Sequence, residues 1–304
     1  MAALRYISNK NIDKAKWDDC IAQSPNGLIY AYSWYLDTMS KNWDALVLGD
    51  YESVMPLTWN KKYGIHYLYQ PWFCASLGIF SKKKITAKTV EQFLKAVPDK
   101  FRYWDLSLNQ QNLFSVEGFP LKERMNYVLN LKPSYENIAT NYRTNLKRNI
   151  KKAEAAVLQV KKNIPLKDIL LLAKETMQRI SPISDEEVNH FSKLFKKVKQ
   201  HQQAETLGIY LNKDLMASAV FFYSHKRWYY ILVGNHPNGK TIGASHYLID
   251  RFILAHASED ALLDFEGSDV RNLAFFYSSY GAVEEKYAAI RMNKLPKLLK
   301  WLKD

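Results

Sequence analysis

Two acidic residues near the end of the chain have the type and the spacing that proton transfer requires. Asp264 and Glu266 close a short apolar run, and residues two apart on a strand point to the same face. A carboxylate at such a strand end can take a proton from an attacking ammonium, and Gly267 would let a substrate approach the backbone. The same pair can equally cap the following helix or bind an arginine. Both interpretations stay open, with Glu266 as the candidate base.

A glycine-containing segment lies between a strand pattern and a helix pattern. It reads Gly239-Lys240-Thr241-Ile242-Gly243-Ala244-Ser245. Glycines in that place let backbone N–H groups approach a pyrophosphate at the positive end of a helix. Short glycine motifs also recur by chance, so a helix start without a ligand is the other interpretation.

A third group of residues is basic. Arg143, Lys147 and Lys151 follow one another at four-residue spacing, which lines them along one face of a predicted helix, Asn137 to Ala156. The window from residue 132 to 162 holds eight basic and two acidic residues, so it supplies +6 of the net charge of +13. A solvated face is the ordinary reason for such a run. A phosphate-rich ligand, such as a nucleotide-linked sugar, a phospholipid-linked precursor or tRNA, is the alternative.

The elements that must position these groups belong to a chain with the composition of a globular protein. Its length of 304 residues is enough for about two domains. Its residues are 47% hydrophobic and 24% charged. Cys20 and Cys74 are too few for a disulfide framework, and the histidine spacings do not predict a metal site. Neither a signal peptide nor a membrane-spanning run is evident in the sequence. We therefore expect a cytoplasmic protein without a metal ion.

One arrangement of elements is repeated along the chain. Three short strand patterns joined by polar turns occupy residues 44–70 and recur at residues 206–234, an offset of about 160 positions. A helix, a strand, an Asn-Leu pair, a glycine and a final strand follow each time. The pattern predicts an α+β (mixed α/β) fold with domains at residues 1–131 and 132–304. Each would be a mixed, mainly antiparallel sheet flanked by helices, and an amphipathic helix is predicted at residues 295–303.

The order of these elements resembles the GCN5-related N-acetyltransferase (GNAT) fold, and the duplication is similar to the FemAB-like transferases. Residues 141–153 and 234–287 carry the resemblance. The donor motif of the family is Arg or Gln, two residues, Gly, one residue, then Gly or Ala. Lys240, Gly243 and Ser245 fill these places, so two of the three depart from the motif. The resemblance implies that this segment, with Gly239 and Ala244, holds the phosphates of an acyl-CoA.

The resemblance also assigns a role to a tyrosine. Tyr277 lies four residues before Gly281, the spacing at which acetyltransferases place the tyrosine that protonates the leaving thiolate. Tyr277 also belongs to an aromatic helix pattern, so simple packing against the sheet is the other interpretation.

The function implied is the transfer of an acyl or aminoacyl group to an amine, possibly on a cell-envelope or polysaccharide precursor. The donor would be acyl-CoA or aminoacyl-tRNA, and attack would be direct, since both cysteines lie in the half without the donor motif. Arg143, Lys147 and Lys151 would bind the phosphate-bearing substrate. The alternative is a non-catalytic module of the same fold that binds an anionic ligand or nucleic acid, which the departures at Lys240 and Ser245 favour.

Overall fold

The computed structural model describes residues 3–177, 183–267 and 269–296. Its strands, in chain order, are β1 Leu4–Ile7, β2 Asn42–Leu48, β3 Ser53–Lys62, β4 Ile65–Tyr69, β5 Phe80–Ser81, β6 Phe101–Leu108, β7 Leu121–Asn130, β8 Gln159–Lys162, β9 Ala204–Leu211, β10 Asp214–Ser224, β11 Arg227–Asn235, β12 Leu262–Asp264 and β13 Val283–Asn293. Its α-helices are α1 Lys14–Gln23, α2 Ser33–Met39, α3 Ala87–Lys95, α4 Tyr135–Thr140, α5 Thr144–Ala155, α6 Leu166–Met177, α7 Asp185–Gln200, α8 Pro237–Thr241, α9 Ala244–His256 and α10 Arg271–Ser278.

The chain divides into two compact units. The first unit comprises the described residues up to Met125 and from Lys286 onward, and the second unit comprises Asn126–Glu285. The predicted C-terminal helix, residues 295–303, lies outside the described residues except for its first two positions.

The first unit is a mixed sheet in the order β1-β2-β3-β4-β6-β13, with β5 beside β3. All its strand pairs are antiparallel except β4 with β6. A capping box at Thr86 and Thr89 starts α3, whose apolar face packs on the sheet through Val90 and Phe93. Phe101 and Trp104 of β6 are buried in the same core.

The second unit has the same arrangement of strands. Its sheet runs in the order β7-β12-β11-β10-β9-β8, and among the described strands of this unit only β11 and β12 pair in parallel. In each unit the fifth strand of the repeat comes from the other half of the chain: Ala288–Asn293 of β13 pair with β6, and Val128–Asn130 of β7 pair with β12. The predicted domains, residues 1–131 and 132–304, follow chain order, whereas the compact units exchange these two strands.

The basic helix differs from its prediction. Instead of one helix from Asn137 to Ala156, the structure has α4 and α5, separated by three residues. Arg143 is extended at the N-cap of α5, and its backbone N–H donates to Ser279 O at 2.9 Å. The Cβ of Asn141 would lie only 2.9 Å from a Cβ at Gly281. These tertiary contacts interrupt a pattern that reads as continuous, because periodicity carries no information about packing partners.

His256 at the end of α9 gives the second unit a pH-dependent contribution to stability. The ring is buried, with Nδ1 2.8 Å from Glu259 Oε1 and Nε2 3.2 Å from Glu205 Oε2. Burial alone would lower the pKa of His256, but the hydrogen bonds and charges of the two carboxylates outweigh burial and raise it. A raised folded-state pKa stabilises the protein fully below the unfolded value of about 6.5. That stabilisation is lost as the pH rises through the folded-state value.

We therefore expect the free energy of unfolding of the wild-type protein to fall between pH 6 and pH 8 by more than that of His256→Gln. Urea unfolding of both proteins at the two pH values measures the difference. His190→Gln on α7, a histidine for which the structure gives no carboxylate contact among the described residues, is the control and should keep the wild-type pH dependence. Equal pH dependence in His256→Gln and the wild type would show that this histidine does not titrate on unfolding.

Candidate functional site

The end of β12 forms an unusual turn. Strands β11 and β12 pair in parallel only as far as Tyr229 and Asp264. Beyond that point Glu266 and Gly267 have φ values of 65° and 87°. A side chain in the left-handed region costs on the order of 1–3 kcal/mol and persists only where the surroundings impose it. Glu266 is therefore held in a strained conformation at the carboxyl end of the strand.

A buried polar network imposes this turn. Arg227 donates from Nη1 to Asp264 Oδ2 at 2.6 Å and from Nη2 to Glu285 Oε1 at 2.8 Å. Asn126 donates from Nδ2 to Asp264 Oδ1 at 2.9 Å and accepts from the Gly267 N–H at 2.5 Å. Burial raises the pKa of Glu285, but the Arg227 guanidinium outweighs burial and lowers it, so the carboxylate stays charged. The network fixes both ends of the turn.

Asp264 belongs to this network rather than to an open surface. It is only 4% exposed, and besides Arg227 and Asn126 its carboxylate accepts the Glu266 N–H at 2.8 Å. Both oxygens are occupied by donors, so Asp264 orients the turn. Glu266 is the half-buried carboxylate of the predicted pair. Ser268, which follows the turn, lies outside the described residues.

Tyr277 lies on α10 next to this turn. Its ring stacks on Phe265 with centroids 4.6 Å apart, and Tyr127 lies 6.5 Å away. Burial raises the pKa of the phenol, and the negative charge of Glu266 raises it further. The structure thus brings Glu266 and Tyr277 together. Among the described residues no hydrogen-bond partner of the Tyr277 hydroxyl is found, so the phenol keeps its proton and can donate it to a ligand.

Tyr280, two residues beyond the end of α10, has a structural role. Tyr280 is fully buried, and its hydroxyl donates to His246 O at 3.2 Å. Its ring packs against Tyr142 and Phe265, at 5.7 Å and 6.0 Å. The predicted aromatic packing therefore describes Tyr280 well, whereas Tyr277 combines packing with a hydroxyl that bonds none of the described residues.

The glycine segment is helical and closely packed. Gly239 lies within α8, where a Cβ would be 2.3 Å from Met216 O. Gly243 is the N-cap of α9 with φ 75°, and a Cβ there would be 2.5 Å from Asn149 O. The space beside both glycines is filled by backbone of the protein itself. Packing within the protein therefore accounts for both glycines without a ligand beside them.

The remaining residues of the segment provide little for a phosphate. The Ser245 hydroxyl donates to Asn235 Oδ1 at 2.5 Å, and Ala244 is buried. Burial lowers the pKa of His246 to about 4, so its ring adds no positive charge at this helix terminus. Lys240 is exposed and is the one cation of the predicted segment.

Gly243→Ala should destabilise the protein by about 1–3 kcal/mol. Alanine would be strained at this positive φ, and its Cβ would clash with the Asn149 carbonyl oxygen. Gly64→Ala is the matched control, with φ 81° and nothing within 4 Å of the added Cβ. Guanidinium unfolding measures both free energies of unfolding. If the two variants lose equal stability, the Asn149 contact does not explain Gly243.

The basic residues of α5 lie between the two candidate features. The Arg143 guanidinium lies over the Phe275 ring of α10, 5.0 Å from its centroid. Asn149, six residues after Arg143, lies beside Gly243 at the start of α9, where its carbonyl oxygen would be 2.5 Å from an added Cβ. Lys147 and Lys151 are exposed on this helix, and Lys147 Nζ donates to Thr140 O at 3.4 Å. A positively charged helix therefore runs from the Tyr277 region to the N-terminus of α9.

Several residues of the site have no signal in the sequence. Asn126 contacts Asp264 across a separation of 138 positions, and Arg227 and Glu285 join the network from two further strands. No local spacing relates these residues, so only the fold reveals them. In the described part of the chain, no three His, Cys, Asp or Glu side chains are grouped as a metal ion would require. None of the described helices is long and apolar enough to cross a membrane.

Comparison with known proteins identifies the fold. No family model and no curated protein matches the chain. Among solved structures, FemX aligns with a TM-score of 0.67 at 14% identity, over 98% of this chain and 99% of that one. A tandem GNAT protein from the clavulanic acid biosynthesis pathway aligns with a TM-score of 0.52 at 11% identity, over 97% of this chain and 100% of that one. L-PGS from Bacillus licheniformis aligns with a TM-score of 0.52 at 11% identity, over 84% and 85%.

These similarities confirm two predictions made from the sequence. The chain has a FemAB-like, tandem GNAT-type fold, and its class is mixed α/β with mostly antiparallel strands. At identities of 14% and below, the likeness is one of fold, so residues and chemistry are argued from the site itself.

Proposed function

We propose that this protein transfers an acyl or aminoacyl group from an activated donor to an amine, with Glu266 as general base and Tyr277 as proton donor to the leaving group. The observation that carries the proposal is the turn at the end of β12. A buried ion network holds Glu266 at φ 65° beside a phenol whose hydroxyl bonds none of the described residues. Strain maintained by a network in this way is typical of functional sites.

The reaction proceeds by direct attack. Glu266 removes a proton from the acceptor ammonium, and the free amine attacks the donor carbonyl. The carbonyl–oxygen or carbonyl–sulfur bond then breaks, and the leaving group takes the proton that Tyr277 offers. The nitrogen loses its second proton as the amide forms, and this proton restores the Tyr277 phenol. Cys20 and Cys74 are both buried in the first unit, so a cysteine acyl intermediate has no support.

The phenol favours one class of donor. Its raised pKa matches a strongly basic leaving group better than a weakly basic one. The ribose hydroxyl released by an aminoacyl ester is more basic than the thiol released by a thioester. Packing within the protein accounts for Gly239 and Gly243, so these glycines give no separate support for coenzyme A as the donor. We therefore place an ester donor of the aminoacyl-tRNA type ahead of acyl-CoA.

The charge of α5 supports a phosphate-bearing substrate. Lys147 and Lys151 are exposed, and Arg143 lies against α10, the helix that carries Tyr277. Basic residues at these positions would bind the phosphates of a tRNA or of a nucleotide-linked cell-envelope precursor. Lys240 would add a further cation at the N-terminal end of α9.

A non-catalytic binding module is the second candidate, and the packed glycine segment favours it. It would use the same basic helix to hold an anionic ligand and would leave Glu266 without a chemical role. The two candidates differ in whether a new amide forms.

A transfer assay tests the proposal. The protein is incubated with aminoacyl-tRNA or acetyl-CoA as donor and an amine-bearing peptidoglycan precursor as acceptor, and mass spectrometry detects the amide. We expect product with the ester donor and far less product with Glu266→Gln, and calorimetry should show that Glu266→Gln still binds tRNA. Binding of tRNA without product from the wild-type protein with either donor would favour the binding module.

A further inference from the structure

The groove between α6 and α7 is a second surface feature of the unit Asn126–Glu285. Its cavity measures about 630 Å³ and has an apolar floor. Leu170 and Leu171 of α6 face Val188 and Phe195 of α7 across it. Leu171 leaves 65% of its surface exposed, the largest exposed fraction among the leucines of the described chain. None of these residues belongs to the site around Glu266.

One of these apolar residues, Phe195, is buried in the core, and the other three keep part of their side chains accessible. The inward faces of the two helices already bury Ile169 and Leu172 on α6 and Phe191 and Leu194 on α7. Above them, Leu170, Leu171 and Val188 leave apolar surface in contact with water, and Phe195 closes the base of the groove. Exposed apolar surface that is continuous between two helices is typical of an interaction site.

Lysines surround this apolar floor. Lys167 and Lys174 lie on α6, Lys196 and Lys199 lie on α7, and all four line the groove. Lys174 is paired with Asp185 at 2.7 Å. Within residues 3–177, 183–267 and 269–296, no carboxylate forms an ion pair with the other three. The positive charge of the rim is therefore available to an anionic partner.

We propose that this groove attaches the protein to an anionic phospholipid bilayer. The groove has apolar side chains between its two helices and lysines along its edges. This arrangement matches a membrane interface, where apolar groups enter the boundary of the acyl chains and lysines bind the lipid phosphates. Charge complementarity selects the anionic lipid, and the apolar floor selects a bilayer over a nucleic acid, which would leave leucines uncovered. The attachment is independent of the transfer reaction and is tested without it.

Vesicle flotation tests the proposal with the full-length protein. Vesicles of phosphatidylglycerol mixed with phosphatidylcholine should bind the wild-type protein at least about tenfold more tightly than vesicles of phosphatidylcholine alone. Leu171→Glu and Lys196→Gln with Lys199→Gln should each lower binding to the anionic vesicles by about tenfold or more. Near-UV circular dichroism confirms that each variant remains folded.

Matched variants separate the groove from general surface charge. Leu254→Glu replaces another partly exposed leucine, on α9, and Lys61→Gln with Lys62→Gln removes two exposed lysines of β3. Both controls should bind anionic vesicles as the wild type does. Equal losses in controls and groove variants, or equal binding of the wild type to anionic and neutral vesicles, would overturn the proposal. If tRNA displaces the wild-type protein from anionic vesicles but does not change vesicle binding by the groove variants, the relevant basic charge lies elsewhere. That result would also overturn the proposal.

Discussion

Glu266→Gln should lower kcat for acyl transfer by about 10²–10⁴ while the fold is retained. Glutamine keeps the shape of the side chain and the turn, but it cannot accept a proton from the incoming ammonium. The pH–rate profile should also lose its acidic limb, in which the rate rises as the carboxylate ionises. Steady-state kinetics with the donor identified by the transfer assay measures both effects.

Glu284→Gln is the matched control for this substitution. Glu284 is an exposed carboxylate near the same cluster, 3.4 Å from the Tyr127 hydroxyl, and it lies in regular strand β13. Its neutralisation should change kcat by less than about tenfold, because it lacks the constrained position of Glu266. Comparable losses in the two variants would indicate a general effect of negative charge and would remove Glu266 from the mechanism.

Arg227→Met should reduce the free energy of unfolding by about 3–5 kcal/mol, enough to unfold a protein of marginal stability. The guanidinium is 9% exposed and pairs with Asp264 and Glu285 at 2.6 Å and 2.8 Å. Methionine fills a similar volume but leaves two carboxylates buried without their cation. Urea unfolding followed by circular dichroism measures the loss.

Lys226→Met tests the adjacent ion pair in the same assay. Lys226 and Asp260 are 2.5 Å apart, but both side chains are largely exposed. Water screens an exposed pair, so the loss should be small beside that of Arg227→Met. If Arg227→Met is no more destabilising than Lys226→Met, the buried network does not hold the turn at Glu266.

The repeated strand order could be predicted because each strand and turn has a local signature. The meanders at residues 44–70 and 206–234 show apolar runs separated by polar turns, and both are present in the structure. The exchange of β7 and β13 could not be predicted, because pairing partners are not encoded in the periodicity of one segment. The break at Arg143 has the same origin, since it depends on a contact with Ser279.

The candidate site shows where residue type is informative and where it is not. A glycine indicates that something approaches the backbone closely, but at Gly243 the approaching group is Asn149 of the protein itself. The strand pattern singled out Glu266 and the family resemblance singled out Tyr277, but no spacing between residues 266 and 277 implies that the two side chains lie close together. The network at Arg227 joins residues from separate strands, so it becomes visible only when the sheet is formed.

The kcat of Tyr277→Phe is the most direct test of the proposed transfer site. The substitution keeps the ring and removes a hydroxyl that bonds none of the described residues, so the free energy of unfolding should change by less than about 1 kcal/mol. Turnover should fall by about 10²–10⁴ if the phenol supplies the proton of the leaving group. Tyr280→Phe, which loses the bond to His246 O, should show the reverse pattern, with a loss of about 1 kcal/mol in stability and turnover largely kept. Near-full turnover in Tyr277→Phe would contradict the account.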